Sequence, residues 1–317
     1  MTDSAARHPG ETDSHQGSLP DPVRTLADLE RLEQAARRHE IACGDGTMVW
    51  RSWGNADENI GDATPVVLLH GGSGSWTHWV RNIAALAAAG RAVWIPDLPG
   101  FGDSARPPVG GDADALPQPM EAALRALFGD TAVDLVGFSF GGMVGAFIAA
   151  ETPARVRRLV LSGAPALGVN PQWRLVLRAW SHLQGEELAA AHRANLRKLM
   201  LARPESLDDL ALAIHASNLE RDRMKMRRLS RTDIVLRTLA RVRCPVYGIW
   251  GAQDVLYRGV QDRLAPALAS APSFRWLRSI QQAGHWVQYE APQAFDRALA
   301  QALSEELPAA RSAALAQ

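Results

Sequence analysis

Cysteine is scarce in this chain: two residues, Cys43 and Cys244, among 317. They lie far apart and in no CxxC, which excludes a disulfide framework and a cysteine zinc site and reads as two reduced cytosolic thiols. An excess of either charge is also lacking. Lys and Arg number 34 and so do Asp and Glu, and without a basic excess neither nucleic acid nor an anionic membrane is expected as a partner. No apolar run approaches the ~20 residues that span a bilayer. The opening MTDSAARHPGETDSHQGSLPDP has no apolar stretch of the kind a secretory signal needs. The expectation is a cytoplasmic protein that does not enter the membrane. Nine histidines are present, but not at metal-ligand spacing, and HExxH is missing, so no metal is expected. A nucleotide phosphate loop is excluded as well: there is no GxxxxGKS or GxxxxGKT, and no GxGxxG that opens a helix.

What is present suits a large folded domain. Hydrophobic residues make up 47% and charged residues 21%, enough for a sizeable core. Residues 1–24 read as a disordered leader. Thr25 to His39 reads as a helix with Leu26, Leu29 and Leu32 on one stripe. Strands are expected at Met48 to Trp50, Val66 to Leu69, RAVWIP, Val133 to Val136, Val156 to Leu161, CPVYGIWG and FRWLRSI. Helices are expected at Val80 to Ala89, Met120 to Phe128, Met143 to Glu151, VQDRLAPALA and QAFDRALAQAL. Alternation of this kind implies a mostly parallel sheet with helices on both faces. The rhythm breaks between about Pro165 and Leu239, where WRLVLRAWSHL, EELAAAHRANLRKLML and LDDLALAIHASNL all read as helical. The expected organisation is therefore a core over 25–164 and 240–307, an inserted helical cap over 165–239, and a frayed tail over 308–317.

The stretch DLVGFSFGGMVGAF places Ser139 between a buried strand and a helix, with Gly137 and Gly141 two residues to either side. Glycine is needed where backbone segments come too close for a Cβ, and GxSxG at a strand-to-helix turn is a nucleophile elbow. A serine hydroxyl needs a base to become a nucleophile. The elbow predicts the chain order Ser, acid, His, and His285 in QQAGHWVQYEAP is the only histidine after the helical block. The acid belongs on the loop after CPVYGIWG, which offers Asp254; Asp262 is the runner-up but falls in an expected helix. Backbone amides of Phe140 and of Gly72, in LLHGGSGSW, are the expected oxyanion donors. His70, Phe138, Trp173 and Trp286 are candidate pocket residues, although His70 also reads as a structural hydrogen bonder. Trp173 and Trp180, seven apart, read as one helical face packed in the cap.

HGG at His70, PDLPGFGDS at Asp97, GFSFGG at Gly137, GAQD at Gly251 and AGHW at Ala283 occur in that order, and the chain resembles the α/β-hydrolase superfamily from about Met48 to Leu303. The DLPGFGDS loop reads as a structural connection. Serine at the elbow separates the chain from the dehalogenase and epoxide hydrolase branches, which carry Asp there. The segment His285, Trp286, Gln288, Glu290 is similar to that of the meta-cleavage product hydrolases, which cut a C–C bond in dienoates from aromatic ring fission. Those enzymes carry Asn-Ser-Met at the elbow, where this chain has Phe138-Ser139-Phe140. The resemblance implies an α/β-hydrolase fold, no cofactor, and a small-molecule carbonyl substrate, either a dienoate or a carboxylic ester. The basic run Arg221 to Arg231 could meet a substrate carboxylate or be a solvated face. A receptor-like ligand binder and an acyltransferase of the same fold are the alternative readings, and a homo-oligomer is allowed.

Overall fold

The computed structural model of the chain describes residues 19–55, 64–169, 175–224 and 226–307. Eight strands form one sheet: β1 (Arg37–Cys43), β2 (Gly46–Trp53), β3 (Val66–Leu69), β4 (Val93–Pro96), β5 (Val133–Phe138), β6 (Val156–Ser162), β7 (Val246–Gly251) and β8 (Phe274–Ile280). Their order is β1-β2-β4-β3-β5-β6-β7-β8. The first two junctions are antiparallel and the rest parallel. Among the described residues ten α-helices accompany them, besides short 3-10 and π turns: α1 (Leu26–Gln34), α2 (Ile83–Ala88), α3 (Pro117–Phe128), α4 (Phe140–Glu151), α5 (Gly185–Asn195), α6 (Asp209–Glu220), α7 (Ile234–Leu239), α8 (Leu264–Leu268), α9 (Val287–Glu290) and α10 (Pro292–Ser304).

The central strands are mostly apolar because both of their faces are covered; the charged exceptions, Asp134 of β5 and Arg157 and Arg158 of β6, pair with one another. Val67, Leu69, Leu135, Leu159, Leu161, Val246 and Trp250 join one apolar layer with residues of α3, α4, α7 and α8. Their strand neighbours Val66, Leu68, Val136, Phe138, Val160, Tyr247 and Ile249 join the other, with residues of α1, α2 and α10. This period-2 split is what a pleated strand imposes.

Three expectations are corrected. The helix read over Thr25 to His39 stops at Gln34, and β1 follows from Arg37. The leucine stripe ends at Leu32, while Arg37 to Cys43 alternates in exposure as an edge strand does. Of the expected leader, residues 19–24 are described, and Val23 there is 1% exposed within the second apolar layer. WRLVLRAWSHL is not helical where described: residues 175–180 carry no regular structure. Asn195 of α5 takes both backbone groups of Arg178, accepting from its N–H at 2.8 Å and donating to its carbonyl at 2.9 Å. Trp173 and the expected tail over 308–317 lie outside the described residues. Elsewhere in the block between β6 and β7 the described residues include the helices α5, α6 and α7, and α7 sends Val235 and Leu239 into the layer that holds α4.

Candidate active site

Strand β5 and helix α4 meet at Ser139 with no loop between them. The serine takes φ 51° and ψ −116°, a conformation L-residues avoid and which surrounding structure must enforce. Two glycines make that turn sterically open. A Cβ on Gly137 would lie 2.5 Å from the Gly141 carbonyl oxygen, and one on Gly141 would lie 2.5 Å from the carbonyl oxygens of both Leu69 and His70. The Ser139 N–H donates to the Ser162 carbonyl at 2.7 Å, which ties the elbow to the end of β6.

The loops after β7 and β8 bring two partners to this serine. His285 Nε2 is 2.9 Å from Ser139 Oγ. His285 Nδ1 is 2.9 Å from Asp254 Oδ2. Asp254 is fully buried, and its Oδ1 accepts from the Leu256 N–H at 2.9 Å. The Phe138 ring lies 5.1 Å from the imidazole. Gly163, at φ 57°, makes room for the pair: a Cβ there would meet His285 Cε1 at 3.0 Å and Asp254 Oδ2 at 3.4 Å. Tyr257 donates from its hydroxyl to the Ala164 carbonyl; burial, and then the Asp254 charge, push that hydroxyl well above its usual range, so it stays neutral. Asp262 is exposed on a short 3-10 turn away from this cluster.

The loop after β3 faces the elbow and is braced by two neutral histidines. His70 donates from Nδ1 to the Gly71 carbonyl at 2.8 Å and accepts the Leu98 N–H at Nε2, also at 2.8 Å. Complete burial pushes its pKa down to about 4, consistent with one ring nitrogen donating and the other accepting. His78 accepts the Gly71 N–H at Nδ1 at 3.1 Å, and burial holds it well below the usual histidine range. The Gly71 amide is thereby occupied. Among the described residues, the Gly72 and Phe140 amides donate to no protein acceptor. The two residues are side by side, since a Cβ on Gly72 would sit 3.6 Å from Phe140 Cβ.

A cavity of about 660 Å³ opens above this corner, within the range of small-molecule sites. Gly72, Phe138, Ser139, Phe140 and His285 line it, with Leu167, Leu199, Met200 and Arg227 from the block after β6. His70 and Trp286 do not. His70 is sealed behind the glycine loop, and Trp286 is 1% exposed, donating from Nε1 to the His78 carbonyl and stacking 4.1 Å from Tyr289. The DLPGFGDS loop is structural: buried Asp97 accepts the N–H groups of Trp76 and Asp103.

Sequence reasoning missed His78, Gly163 and the role of Glu290. The Glu290 carboxylate accepts from the N–H groups of Gly284, Ala202 and Arg203 at 2.6–2.9 Å. It therefore joins the His285 loop to the inserted block. Its spacing after His285 was visible in the sequence; its three partners were not. Among the described residues, no three His, Cys, Asp or Glu side chains are grouped to hold a metal ion. No helix among them is long and apolar enough to cross a membrane.

A family model described as alpha/beta hydrolase fold matches residues 64–292. The chain belongs to that family. It is an α/β-fold hydrolase, and relatives extend the likeness. A 247-residue stretch is 32% identical to the dihydrolipoyllysine-residue acetyltransferase component of an acetoin cleaving system from Pseudomonas putida, covering 72% of this chain but only 60% of that protein. Identity is 26% over 251 residues with a 2-hydroxy-6-oxo-6-phenylhexa-2,4-dienoate hydrolase from Burkholderia cepacia, covering 75% of this chain and 87% of that one. Among solved structures, a carboxylesterase from Bacillus subtilis superposes with a TM-score of 0.67 at 18% identity, covering 85% of this chain and 92% of the other. At that identity the likeness is one of fold.

Proposed function

We propose that the protein is a serine hydrolase acting on a small carbonyl substrate, with Ser139 as nucleophile, His285 as general base and acid, and Asp254 as the group that orients His285. The carrying observation is the unbroken contact chain from Asp254 through His285 to Ser139 at the cavity floor. A carboxylate at Asp254 can only accept, so it keeps the proton on Nδ1 and turns the Nε2 lone pair toward the serine hydroxyl. Ser139 Oγ attacks the carbonyl carbon as its proton moves to Nε2. The carbonyl oxygen takes the electron pair and is held by the Gly72 and Phe140 amides, at the positive end of α4. The proton on Nε2 passes to the leaving group. Water then repeats the sequence and frees Ser139. None of these steps calls on a cofactor.

Residues 165–239 serve as a cap that supplies the substrate-facing wall, and the protein works in the cytoplasm. Leu167, Val169, Leu175, Leu177, Leu199 and Met200 offer room for an apolar acyl group, beside a polar rim that includes Arg231 and Asp233. A carboxylic ester is the first substrate class. A ring-fission dienoate is the second, supported by the 87% coverage of the Burkholderia dienoate hydrolase. Wild type and Ser139→Ala, assayed on a short-chain nitrophenyl ester and on a coloured dienoate, test both. Loss of the serine should cost many orders of magnitude in kcat on the true substrate. Full turnover by Ser139→Ala would end the proposal.

A further inference from the structure

We infer that Arg227 supplies a third, charged donor to the oxyanion that forms beside Gly72 and Phe140; this deepens the serine-hydrolase reading and rests on it. Arg227 belongs to the segment that follows α6 and reaches into the cavity wall. One edge of its guanidinium is fixed. Nη2 donates to Ser73 Oγ at 3.0 Å and lies 2.9 Å from Asp222 Oδ2. Ser73 Oγ in turn donates to Asp222 Oδ2 at 2.6 Å. The Phe101 ring stands 5.5 Å from the guanidinium carbon. The other edge is open: Nη1 is buried, and among the described residues it has no acceptor.

That open edge abuts the oxyanion loop. A Cβ on Gly72 would sit 3.1 Å from Nη1, and only 3.6 Å from Phe140 Cβ. Three donors without protein acceptors therefore meet at one corner: the amides of Gly72 and Phe140 and the Arg227 Nη1. Buried donors are seldom left unmatched, so an oxygen from the ligand is the group that completes them. Asp222 bears on which oxygen. It already pairs with Arg227, so a permanently charged substrate group would face that carboxylate as well as the guanidinium. A carbonyl oxygen that gains charge only as Ser139 attacks needs one more short donor, which Nη1 can be. The carbonyl π electrons move onto oxygen, Arg227 hydrogen-bonds to it, and its proton stays on nitrogen throughout. Glycine at 72 also follows: any side chain would wedge between the loop and the guanidinium.

Arg227 could instead act through Ser73, which holds a strained φ of 49° next to Gly72. The experiment separates these roles. Wild type, Arg227→Met, Arg227→Lys, Ser73→Ala and, as a control, Arg228→Gln at an exposed neighbour are assayed on nitrophenyl butyrate and on the nitrophenyl monoester of glutarate. End-point labelling of Ser139 by a fluorophosphonate counts folded sites. The expected result is a kcat loss of about 10- to 100-fold for Arg227→Met on both esters. KM should stay within roughly threefold, Arg227→Lys should recover part of the rate, Ser73→Ala should lose less than Arg227→Met, and Arg228→Gln should match wild type. The inference is overturned if kcat on the butyrate ester is unchanged in Arg227→Met, or if the loss is confined to KM for the glutarate monoester. It is also overturned if Ser73→Ala reproduces the full kcat loss. Should Arg227→Met fail to label and melt like a folded protein, Arg227→Ala, which also removes the donor, takes its place, and an unchanged kcat there overturns the inference. Ester turnover that survives Ser139→Ala would instead remove the serine-hydrolase reading, a separate outcome.

Discussion

Gly163→Ala tests whether the His285–Asp254 contact sets the rate. Gly163 has φ 57°, so any side chain there carries backbone strain, typically about 1–2 kcal/mol of stability. The new methyl would also stand 3.0 Å from His285 Cε1, 3.1 Å from Nδ1 and 3.4 Å from Asp254 Oδ2. Those separations are tight, and the imidazole must yield by a few tenths of an ångström. A 1 Å misplacement of a catalytic group can cost ~10²-fold, so a shift of this size should cost on the order of 10-fold in kcat. Gly90→Ala is the matched control. Gly90 also has a positive φ, 75°, but a Cβ there meets nothing within 4 Å. It should lose a similar ~1–2 kcal/mol and keep its kcat. Thermal melts would show the shared stability cost, and kcat on a nitrophenyl ester the difference. Equal kcat in the two variants would refute the argument, because strain without displacement would then explain everything.

Two further outcomes are expected. In Glu290→Gln, one oxygen and an amide nitrogen replace two acceptors, so at least one of the N–H groups of Gly284, Ala202 and Arg203 loses its partner. The cost should be about 1–3 kcal/mol, read as a melting temperature several degrees lower, and an unchanged melt would show that the bonds carry no net weight. Stability should also fall on acidification: His70 and His215 are pushed from 6.5 down to about 4, and His78 well below 6.5, each mainly by burial. Between those values the unfolded chain binds protons that the folded chain excludes, so stability is lost as pH drops from about 6.5 toward 4. Melts across that window check the sign, and His215→Gln should flatten the slope.

The parts legible in the sequence were those governed by short range. The central strands could be read because β3, β5, β6 and β7 are covered on both faces and each carries an apolar run, such as Val66–Leu69 in β3 and Leu159–Leu161 in β6. The elbow was readable because its glycines answer to steric limits within a few residues. Strand β1 was not, since an edge strand with half-exposed charged residues differs little from the polar end of a helix. Residues 175–180 misled for another reason. Their leucine and tryptophan spacing suits a helix, but Asn195, some 17 residues on, takes the backbone groups of Arg178, and Lys198 Nζ donates to the Val176 carbonyl at 2.6 Å. Local propensity loses to partners that arrive only on folding. His78, Glu290 and Arg227 were overlooked or undervalued on the same ground.

The layout also explains why the chemistry is easier to read than the substrate. Ser139, Asp254, His285 and Gly72 all follow the carboxyl ends of parallel strands, β5, β7, β8 and β3. In open α/β sheets that edge is where ligands collect, so strand order alone brings these residues together. The wall opposite is built otherwise. Leu199, Met200 and Arg227 come from a block tied to the core by many hydrogen bonds, among them those of Asp208 with Arg81 and Tyr289, of Asp112 with the Arg228 and Leu229 amides, of Glu290, and of the Met200 carbonyl, which accepts the Trp286 N–H at 2.8 Å. Trp286 is the residue after His285, and Gly284, the residue before it, donates to Glu290. A substrate that shifts the Met200 wall therefore pulls on the backbone at both sides of His285, the proposed base. Substrates that fit the wall should be distinguished in kcat as well as in KM, and variants of the wall that touch no reacting atom should still change the rate of the chemical step.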